Sequence, residues 1–266
     1  MPHPIGRRSM LAAAAAGGVA LATSPAGAKS RSNEDAAEIF ELRTYRLIGA
    51  MRDRLDAYLK DAFIPAARRA GCGPVGVFGV AIGPGSADVL VLIPHASPAA
   101  FLELPGKLAA DAGYARAAAI YSDAPLTSPP YVSLEVKLMR AFAAFPRVAP
   151  PGPAAETGRI FELRTYHSHS EKAGTTKIGM FETGGEIDIF RRTGLTPVFF
   201  AQDLTGTHLP SLTYMLTFPD LAARERSWKA FGADPDWRRL IAMPGLAETV
   251  TDIDNRILSP TRYSQI

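Results

Sequence analysis

Glutamate, arginine and tyrosine alternate along a seven-residue segment, IFELRTY, that occurs twice in the sequence. A carboxylate can act as a general base, and an arginine beside it can hold an anionic group through parallel hydrogen bonds. These residue types at this spacing therefore point to the binding of a polar ligand. The ligand-binding candidates are the three polar residues of each copy: Glu41, Arg43, Tyr45, Glu162, Arg164 and Tyr166.

The alternation within each copy predicts a β-strand, in which successive side chains point to opposite faces. Phe40 and Leu42 suit a face covered by helices, so we expect the polar residues of both copies to face one interior between two sheets. The last strand of each half is expected to add polar residues to the same interior. These secondary candidates are Glu135, Lys137, Asp254 and Arg256.

Charged residues on buried strands must be paired or solvated, because an isolated buried charge is costly. In one interpretation they line a pocket, where Arg43 or Arg164 holds an anion and a glutamate acts as a base. In the other they form mutual ion pairs that fix the register of the two halves. Both interpretations stay open at this point.

The histidines and the cysteine give weaker signals. His167 and His169 follow the second IFELRTY strand and would project to one side of an extended chain, so they are weak candidates for metal ligands without an evident third. His95 and His208 are predicted to be exposed. Cys72 is the single cysteine and lies in a Gly-Cys-Gly-Pro turn with no base near it in sequence, so we interpret it as an incidental thiol.

Motifs for several enzyme classes are missing from the sequence. It contains no glycine-rich phosphate loop, no CxxC pair and no GxSxG nucleophile elbow, and we predict no cofactor. The aromatic residues Trp228, Phe231 and Trp237 are interpreted as packing residues of a helix.

Each copy of IFELRTY opens the same order of predicted elements. Helices are expected over residues 50–70 and 97–120 in the first half, and over 176–193 and 220–241 in the second. Hairpin strands are expected at 75–82 with 89–93 and at 198–203 with 212–218, and closing strands at 132–139 and 250–258. The order β-α-β-β-α-β is the ferredoxin-like plan. We therefore predict an α+β fold with two tandem repeats, residues 34–145 and 159–266, joined by a Pro/Gly-rich linker at 146–158.

The first 28 residues read as an export signal. Arg7 and Arg8 precede an apolar run at 10–23, and Ala26-Gly27-Ala28 offers a cleavage site near Ala28. The string RRSML resembles a twin-arginine signal. We therefore expect a periplasmic or secreted protein that meets the membrane only during export.

The charge balance argues against a nucleic-acid partner. The formal charge is +3, and removal of Arg7 and Arg8 leaves +1. Nucleic-acid binding needs a concentration of lysine and arginine on one face. The hydrophobic content of 47% and charged content of 21% are those of an ordinary globular protein.

The sequence from Glu38 to Ile266 resembles the NIPSNAP family, most strongly in its second half. Besides FELRTY, the match includes Ala233-Asp234-Pro235-Asp236-Trp237, preceded by Arg224 and Trp228, and LSPTRYS at 258–264. The resemblance implies a dimeric α/β-barrel architecture, with two ferredoxin-like sheets facing one another and helices outside. Here both halves would come from one chain. The roles suggested for the family, in vesicle traffic or mitochondrial quality control, do not suit an exported protein.

Three functional hypotheses follow. The leading one is a non-catalytic protein that binds a small molecule or a protein partner at the interface of its repeats, with a homo-oligomer as an open possibility. The second is an enzyme, since related dimeric α/β barrels include cofactor-independent and haem-using oxygenases. The third is a purely structural or assembly role, motivated by the paired charges.

Overall fold

The protein was analysed as a computed structural model that describes residues 37–152 and 158–266. The predicted signal peptide lies outside the described residues, as do residues 153–157 of the predicted linker. Within the described ranges, no helix has both the length and the apolar character needed to cross a membrane.

The first half contains four strands and the helices between them. In chain order these are β1 (Ile39–Arg46), α1 (Met51–Tyr58), a π-helical turn (Leu59–Phe63), α2 (Ile64–Arg69), β2 (Gly76–Ile82), β3 (Val89–His95), α3 (Pro98–Ala110), α4 (Ala112–Ala117), α5 (Ala119–Ser122) and β4 (Ser133–Ala141).

The second half repeats this order. Its elements are β5 (Ile160–His167), α6 (Glu171–Glu182), α7 (Glu186–Arg192), β6 (Thr196–Asp203), β7 (Ser211–Phe218), α8 (Leu221–Ala233), α9 (Pro235–Ile241) and β8 (Asp252–Pro260). Both halves therefore follow the predicted β-α-β-β-α-β plan.

The strands of both halves close into one barrel in the order β1-β3-β2-β8-β5-β7-β6-β4. Two antiparallel seams join the halves, β2 with β8 and β4 with β6. Each ferredoxin-like sheet has two free edges, and the two seams pair part of each edge strand with the other sheet, which closes the barrel. The predicted α+β fold with a barrel shared by two repeats is confirmed.

Polar side chains fix where several helices begin. Ser97, Asp111, Ser170, Asp220 and Asp234 each accept hydrogen bonds from backbone N–H groups in the first turn of the helix that follows. Such caps satisfy donors that have no partner inside the helix.

The helix predicted over 176–193 is divided in the structure. It begins earlier, at Glu171, and breaks between α6 and α7, where Gly185 has a φ of 82°. This left-handed conformation is strained for residues with a Cβ, so the Gly184-Gly185 pair marks the break. The apolar periodicity continues across it, which is why the sequence predicted one helix.

The buried apolar residues form three clusters. One lies between the first half of the sheet and helices α1 to α4, and another lies between the second half and α6 to α9. The third fills the inside of the barrel with residues from both halves, among them Phe40, Leu42, Phe161 and Leu163. Both faces of the sheet are therefore buried along most of its strands.

Candidate functional site

The polar residues of the two IFELRTY strands point toward the helices. Their apolar neighbours Phe40, Leu42, Phe161 and Leu163 belong to the cluster inside the barrel. Since side chains alternate along a strand, Glu, Arg and Tyr must lie on the outer face, beneath the helices. The expectation that they face an interior between the sheets is wrong.

Glu162 is the most completely hydrogen-bonded of these residues. Its Oε1 accepts from Arg164 at 3.0 Å, from Arg224 at 2.6 Å and from Asn255 at 2.9 Å. Its Oε2 accepts from Arg224 Nε at 2.9 Å and from Trp228 Nε1 at 2.7 Å. Burial opposes ionisation, but the hydrogen bonds from Arg224 and Trp228 and the neighbouring arginine charges outweigh it and lower the pKa of Glu162. A carboxylate with this many donors is poorly suited to act as a base.

Arg164 lies between two aromatic rings. Its guanidinium is 4.7 Å from the centre of the Trp228 ring and 5.5 Å from that of Tyr166. Such cation–π contacts stabilise a partly buried charge. The Tyr166 hydroxyl meets that of Tyr214 at 2.7 Å, and the Arg164 Nε has no hydrogen-bond partner among the described residues.

Glu41 has different partners from Glu162. Its Oε1 accepts a hydrogen bond from Arg43 Nε at 2.6 Å, and its Oε2 lies 2.9 Å from His95 Nε2. These three side chains lie beneath α3 and the π-helical turn. Burial is again outweighed, here by the hydrogen bond with His95 and the charge of Arg43, and the pKa of Glu41 is lowered. Arg43 lies 4.9 Å from the centre of the Phe63 ring, and the Tyr45 hydroxyl has no partner among the described residues.

These ion pairs do not connect the two halves. The Glu41–Arg43 and Glu162–Arg164 pairs each join neighbours on one strand, and Arg224 belongs to the same half as Glu162. For the IFELRTY residues, the interpretation that they fix the register of the halves is therefore wrong. Lys137, one of the secondary candidates, does form an ion pair across the halves, with Asp203. The halves are joined by the two strand seams and by the apolar cluster inside the barrel.

The secondary candidates converge on a different place, a cleft inside one end of the barrel. We call it the barrel-mouth cleft; its volume is about 480 Å³. Both halves contribute to it. Its lining residues are Leu42, Thr44, Leu90, Glu135, Val136, Lys137, Leu163, Thr165, Gly206, Thr207, Asp254 and Arg256.

The strand register arranges the charges of the barrel-mouth cleft in two layers. In the deeper layer, Lys137 is opposite Leu42 and Arg256 is opposite Leu163, and both leucines belong to the cluster inside the barrel. One step nearer to the opening, Glu135 is opposite Thr44 and Asp254 is opposite Thr165. The cations therefore lie deep and the carboxylates lie at the rim, with one of each from each half.

Lys137 is already neutralised by a buried carboxylate. Its Nζ lies 3.0 Å from Asp203 Oδ2, which also accepts from Ser211 at 2.6 Å and from Thr213 at 3.1 Å. Thr213 in turn meets Thr165 at 2.8 Å. This network crosses the β4–β6 seam and holds one wall of the cleft in place. The Asp203 Oδ1 has no hydrogen-bond partner among the described residues.

Arg256 differs from Lys137, since no residue in 37–152 or 158–266 forms an ion pair or hydrogen bond with its guanidinium. The charges near it include Asp88, whose pKa is raised by burial, an effect that Arg256 and Arg46 oppose. Arg256 is half-buried, so its donors are partly removed from water while remaining free for a ligand.

The histidines lie beside the cleft or away from it. His167 bonds Asp254 at 3.0 Å through Nε2 and the His208 carbonyl at 3.1 Å through Nδ1, and His208 is exposed as expected. His169 is exposed in the turn before α6. In the part of the chain that the structure describes, no three His, Cys, Asp or Glu side chains form a metal-binding group. His95, which was predicted to be exposed, is fully buried.

Several residues of these networks were not singled out by sequence reasoning. Asp203, Thr44 and Thr165 occupy alternate strand positions and could have been found by the same rule that gave Glu135 and Lys137. Trp228 does pack against Phe190 and Phe231, as predicted for this residue, but it also donates to Glu162. No local pattern signals that contact, because 66 residues separate the partners.

The fold and this site define a dimeric α/β barrel formed within one chain. Residues 161–265 match the NIPSNAP family model, so the second half carries a NIPSNAP domain. No curated protein matches the sequence.

Two solved structures support the same fold, and a third is similar over a smaller part of the chain. A monooxygenase candidate from Lactobacillus acidophilus NCFM is 8% identical, with a TM-score of 0.55, and the match covers 84% of this chain and 94% of that one. A second monooxygenase candidate, from Fusobacterium nucleatum subsp. nucleatum ATCC 25586, is 9% identical, with a TM-score of 0.52 and coverage of 85% and 93%. A NIPSNAP-like domain protein from Burkholderia xenovorans is 20% identical over 40% of this chain and 89% of that one, with a TM-score of 0.36. At these identities the likeness concerns the fold alone.

Proposed function

We propose that this protein binds a small zwitterionic molecule in the barrel-mouth cleft, at the interface of its two halves. The observation that carries the proposal is Arg256, a half-buried cation with no partner among the described residues, in a cleft of about 480 Å³. That volume lies within the range of ordinary small-molecule sites, roughly 300–1,000 Å³.

The two charge layers specify the orientation of the ligand. An anionic group would reach the deeper layer and accept hydrogen bonds from Arg256, because Lys137 is already paired with Asp203. A cationic group of the same molecule would stay at the rim, between Glu135 and Asp254. Leu42, Leu90 and Leu163 would contact the apolar part of the ligand, and the threonine hydroxyls would supply neutral hydrogen bonds.

Calorimetric titration of the purified protein with free amino acids tests this proposal, with succinate and putrescine as probes that carry only one sign of charge. We expect saturable binding of one amino acid per chain and weaker binding of both comparison probes. The Arg256→Gln variant should bind at least about tenfold more weakly, since a hydrogen bond to a charged group contributes about 1.5–3 kcal/mol.

Arg140→Gln is the matched control, because Arg140 is an exposed cation on β4 that bonds Gln202 at 2.7 Å. Its affinity should equal that of the wild type. If no amino acid binds the wild type, or if Arg256→Gln binds equally well, the proposal is wrong. Tighter binding of succinate would retain the cleft but refute the zwitterion.

An oxygenase function stays a prediction. The two structural relatives described as monooxygenase candidates are compatible with it, but at 8% and 9% identity they do not favour it. A haem absorption band in the purified protein would support the haem-using version.

A further inference from the structure

Cys72, which the sequence presents as an isolated thiol, contacts a histidine in the folded protein. Its Sγ lies 3.6 Å from His95 Nδ1, although 23 residues separate the two along the chain. The tertiary fold brings them together because Cys72 follows α2 and His95 ends β3. The interpretation that no base is near Cys72 holds for the sequence alone.

The other nitrogen of His95 is held by a carboxylate. His95 Nε2 lies 2.9 Å from Glu41 Oε2, and Glu41 Oε1 accepts a hydrogen bond from Arg43 at 2.6 Å. Phe101 packs edge-on against the imidazole, with ring centres 5.4 Å apart. The ring orientation is thus fixed on both sides, with Nδ1 directed at the sulfur.

A nucleophile, a base and a group that orients the base form a recognised catalytic arrangement. With Glu41 ionised, His95 donates its Nε2 proton to Glu41 and can accept the thiol proton at Nδ1. Burial disfavours a charged imidazole, but the hydrogen bonds to Cys72 and Glu41 outweigh burial and raise the pKa of His95. Glu38, Arg43 and Glu41 are the other charged groups near this histidine. His95 Nδ1 is therefore placed to accept the thiol proton.

The thiol lies close to the protein surface. Cys72 is 7% exposed, and its neighbour Gly71 is exposed, with no atoms in the space where a Cβ would project. Gly71 and Gly73 have φ values of 84° and 122°, a region that residues with side chains rarely adopt. The thiol therefore lies beside an open glycine turn, and its small exposure favours a very small reagent.

The second half has no such arrangement. Its matching turn places Leu195 where the first half has Cys72, and Phe218 is opposite Ile160 as His95 is opposite Ile39. Both residues are buried apolar side chains there. The thiol and its base are therefore an addition to the first half and are not required by the fold.

We propose that Cys72 is a redox-reactive nucleophile that is oxidised by small hydroperoxides, with His95 as its base and Glu41 as the residue that positions His95. The sulfur attacks the near oxygen of the peroxide, so an S–O bond forms and the O–O bond breaks. The thiol proton passes to His95 Nδ1 and then to the leaving oxygen. With hydrogen peroxide the products are the sulfenic acid of Cys72 and one water molecule, and the sulfur loses the two electrons that the peroxide gains.

The single cysteine makes the test direct, since every thiol signal comes from Cys72. We would measure the rate of sulfenic acid formation with hydrogen peroxide, trapped with dimedone and read as intact mass, from pH 5 to 9. The native wild-type protein is compared with the same protein unfolded in urea. An unfolded thiol should become reactive at about pH 8.5, because this is the ordinary pKa of cysteine.

We expect the native thiol to react at least about tenfold faster than the unfolded thiol at pH 6, because His95 accepts the thiol proton only in the folded protein. His95→Gln should move the native profile back toward the unfolded one, and Cys72→Ser should give no product. A native thiol that does not react, or that reacts no faster than the unfolded thiol at pH 6, would overturn the proposal. The native and unfolded wild-type comparison decides it even if His95→Gln does not fold.

Discussion

The two IFELRTY strands have the same sequence but lie in different surroundings. In β1, Glu41 is paired with Arg43 and a buried histidine, His95. In β5, Glu162 is paired with Arg164 and with donors from α8 and β8. The difference comes from positions far along the chain, since Arg224 lies four residues after its helix cap and Phe101 occupies that position in the first half.

The two halves also differ in the helices that pack over Arg43 and Arg164. Lys177 and Glu186 form a buried ion pair between α6 and α7, with 2.8 Å between Lys177 Nζ and Glu186 Oε2. In the first half, Phe63 occupies the position of Glu186, and the centre of its ring lies 4.9 Å from the Arg43 guanidinium. A duplicated strand can thus be retained while its partners diverge, provided that each buried charge keeps a compensating group.

The largest expected effect concerns the Lys177–Glu186 pair. Lys177→Met should lower the free energy of unfolding by about 3–5 kcal/mol, because it leaves a buried carboxylate without its partner. The double variant Lys177→Met/Glu186→Leu should recover most of the loss, since it makes this site apolar as in the first half. Urea denaturation followed by circular dichroism measures both. A double variant no more stable than Lys177→Met would contradict this view of the pair.

A smaller effect is expected from the two strand glutamates, and their difference tests the comparison directly. Glu162→Gln should cost about 3 kcal/mol, because two arginines lose their charged acceptor. Glu41→Gln should cost about half of that, since it has fewer charged partners. Glu103→Gln on α3 is the control, an exposed residue paired with Lys107, and should change stability by less than about 0.5 kcal/mol. Equal losses at Glu41 and Glu162 would show that the extra donors of β5 add nothing.

The smallest effect is in the pH dependence of stability. The pKa values of Glu41 and Glu162 are lowered by folding, so their contribution is present above the unfolded value near 4.3 and is lost as the pH falls through the folded values. The pKa of His95 is raised, so its contribution is present at low pH and is lost as the pH rises through the folded value. Glu41 and Glu162 therefore each contribute a loss of stability at acid pH, and His95 adds a loss of stability as the pH rises.

Urea denaturation of the wild type, Glu162→Gln and His95→Gln between about pH 2 and pH 9 checks this expectation. Glu162→Gln should reduce the loss of unfolding free energy at acid pH and leave the loss near neutral pH unchanged. His95→Gln should remove the loss of unfolding free energy near neutral pH. If His95→Gln retains that loss, it belongs to another titrating group and not to His95.

The element order could be predicted because it depends on local patterns. The strands at 39–45 and 160–166 and the closing strands were located by alternation, and in the structure their ends lie at most two residues from the predicted ones. The break at Gly184-Gly185 and the start at Glu171 were missed, since apolar periodicity continues through the first and capping by Ser170 defines the second.

The candidate site was predicted in part. Glu135, Lys137, Asp254 and Arg256 were expected in a shared interior and do line the barrel-mouth cleft, whereas the six IFELRTY candidates lie under the helices. The error has a physical cause. When both faces of a sheet are buried, hydrophobicity no longer distinguishes the inner face from the outer one.

By itself, the sequence determined the duplication, the order of strands and helices, and which residues share a face of each strand, because these follow from local periodicity and turn chemistry. The tertiary structure alone decided which face lies inside the barrel, since closure through the β2–β8 and β4–β6 seams depends on pairing between distant strands. It also decided the partners of each buried charge. Cys72 with His95, Glu162 with Trp228 and Lys137 with Asp203 are contacts between residues 23 to 66 positions apart, and local patterns carry no record of them.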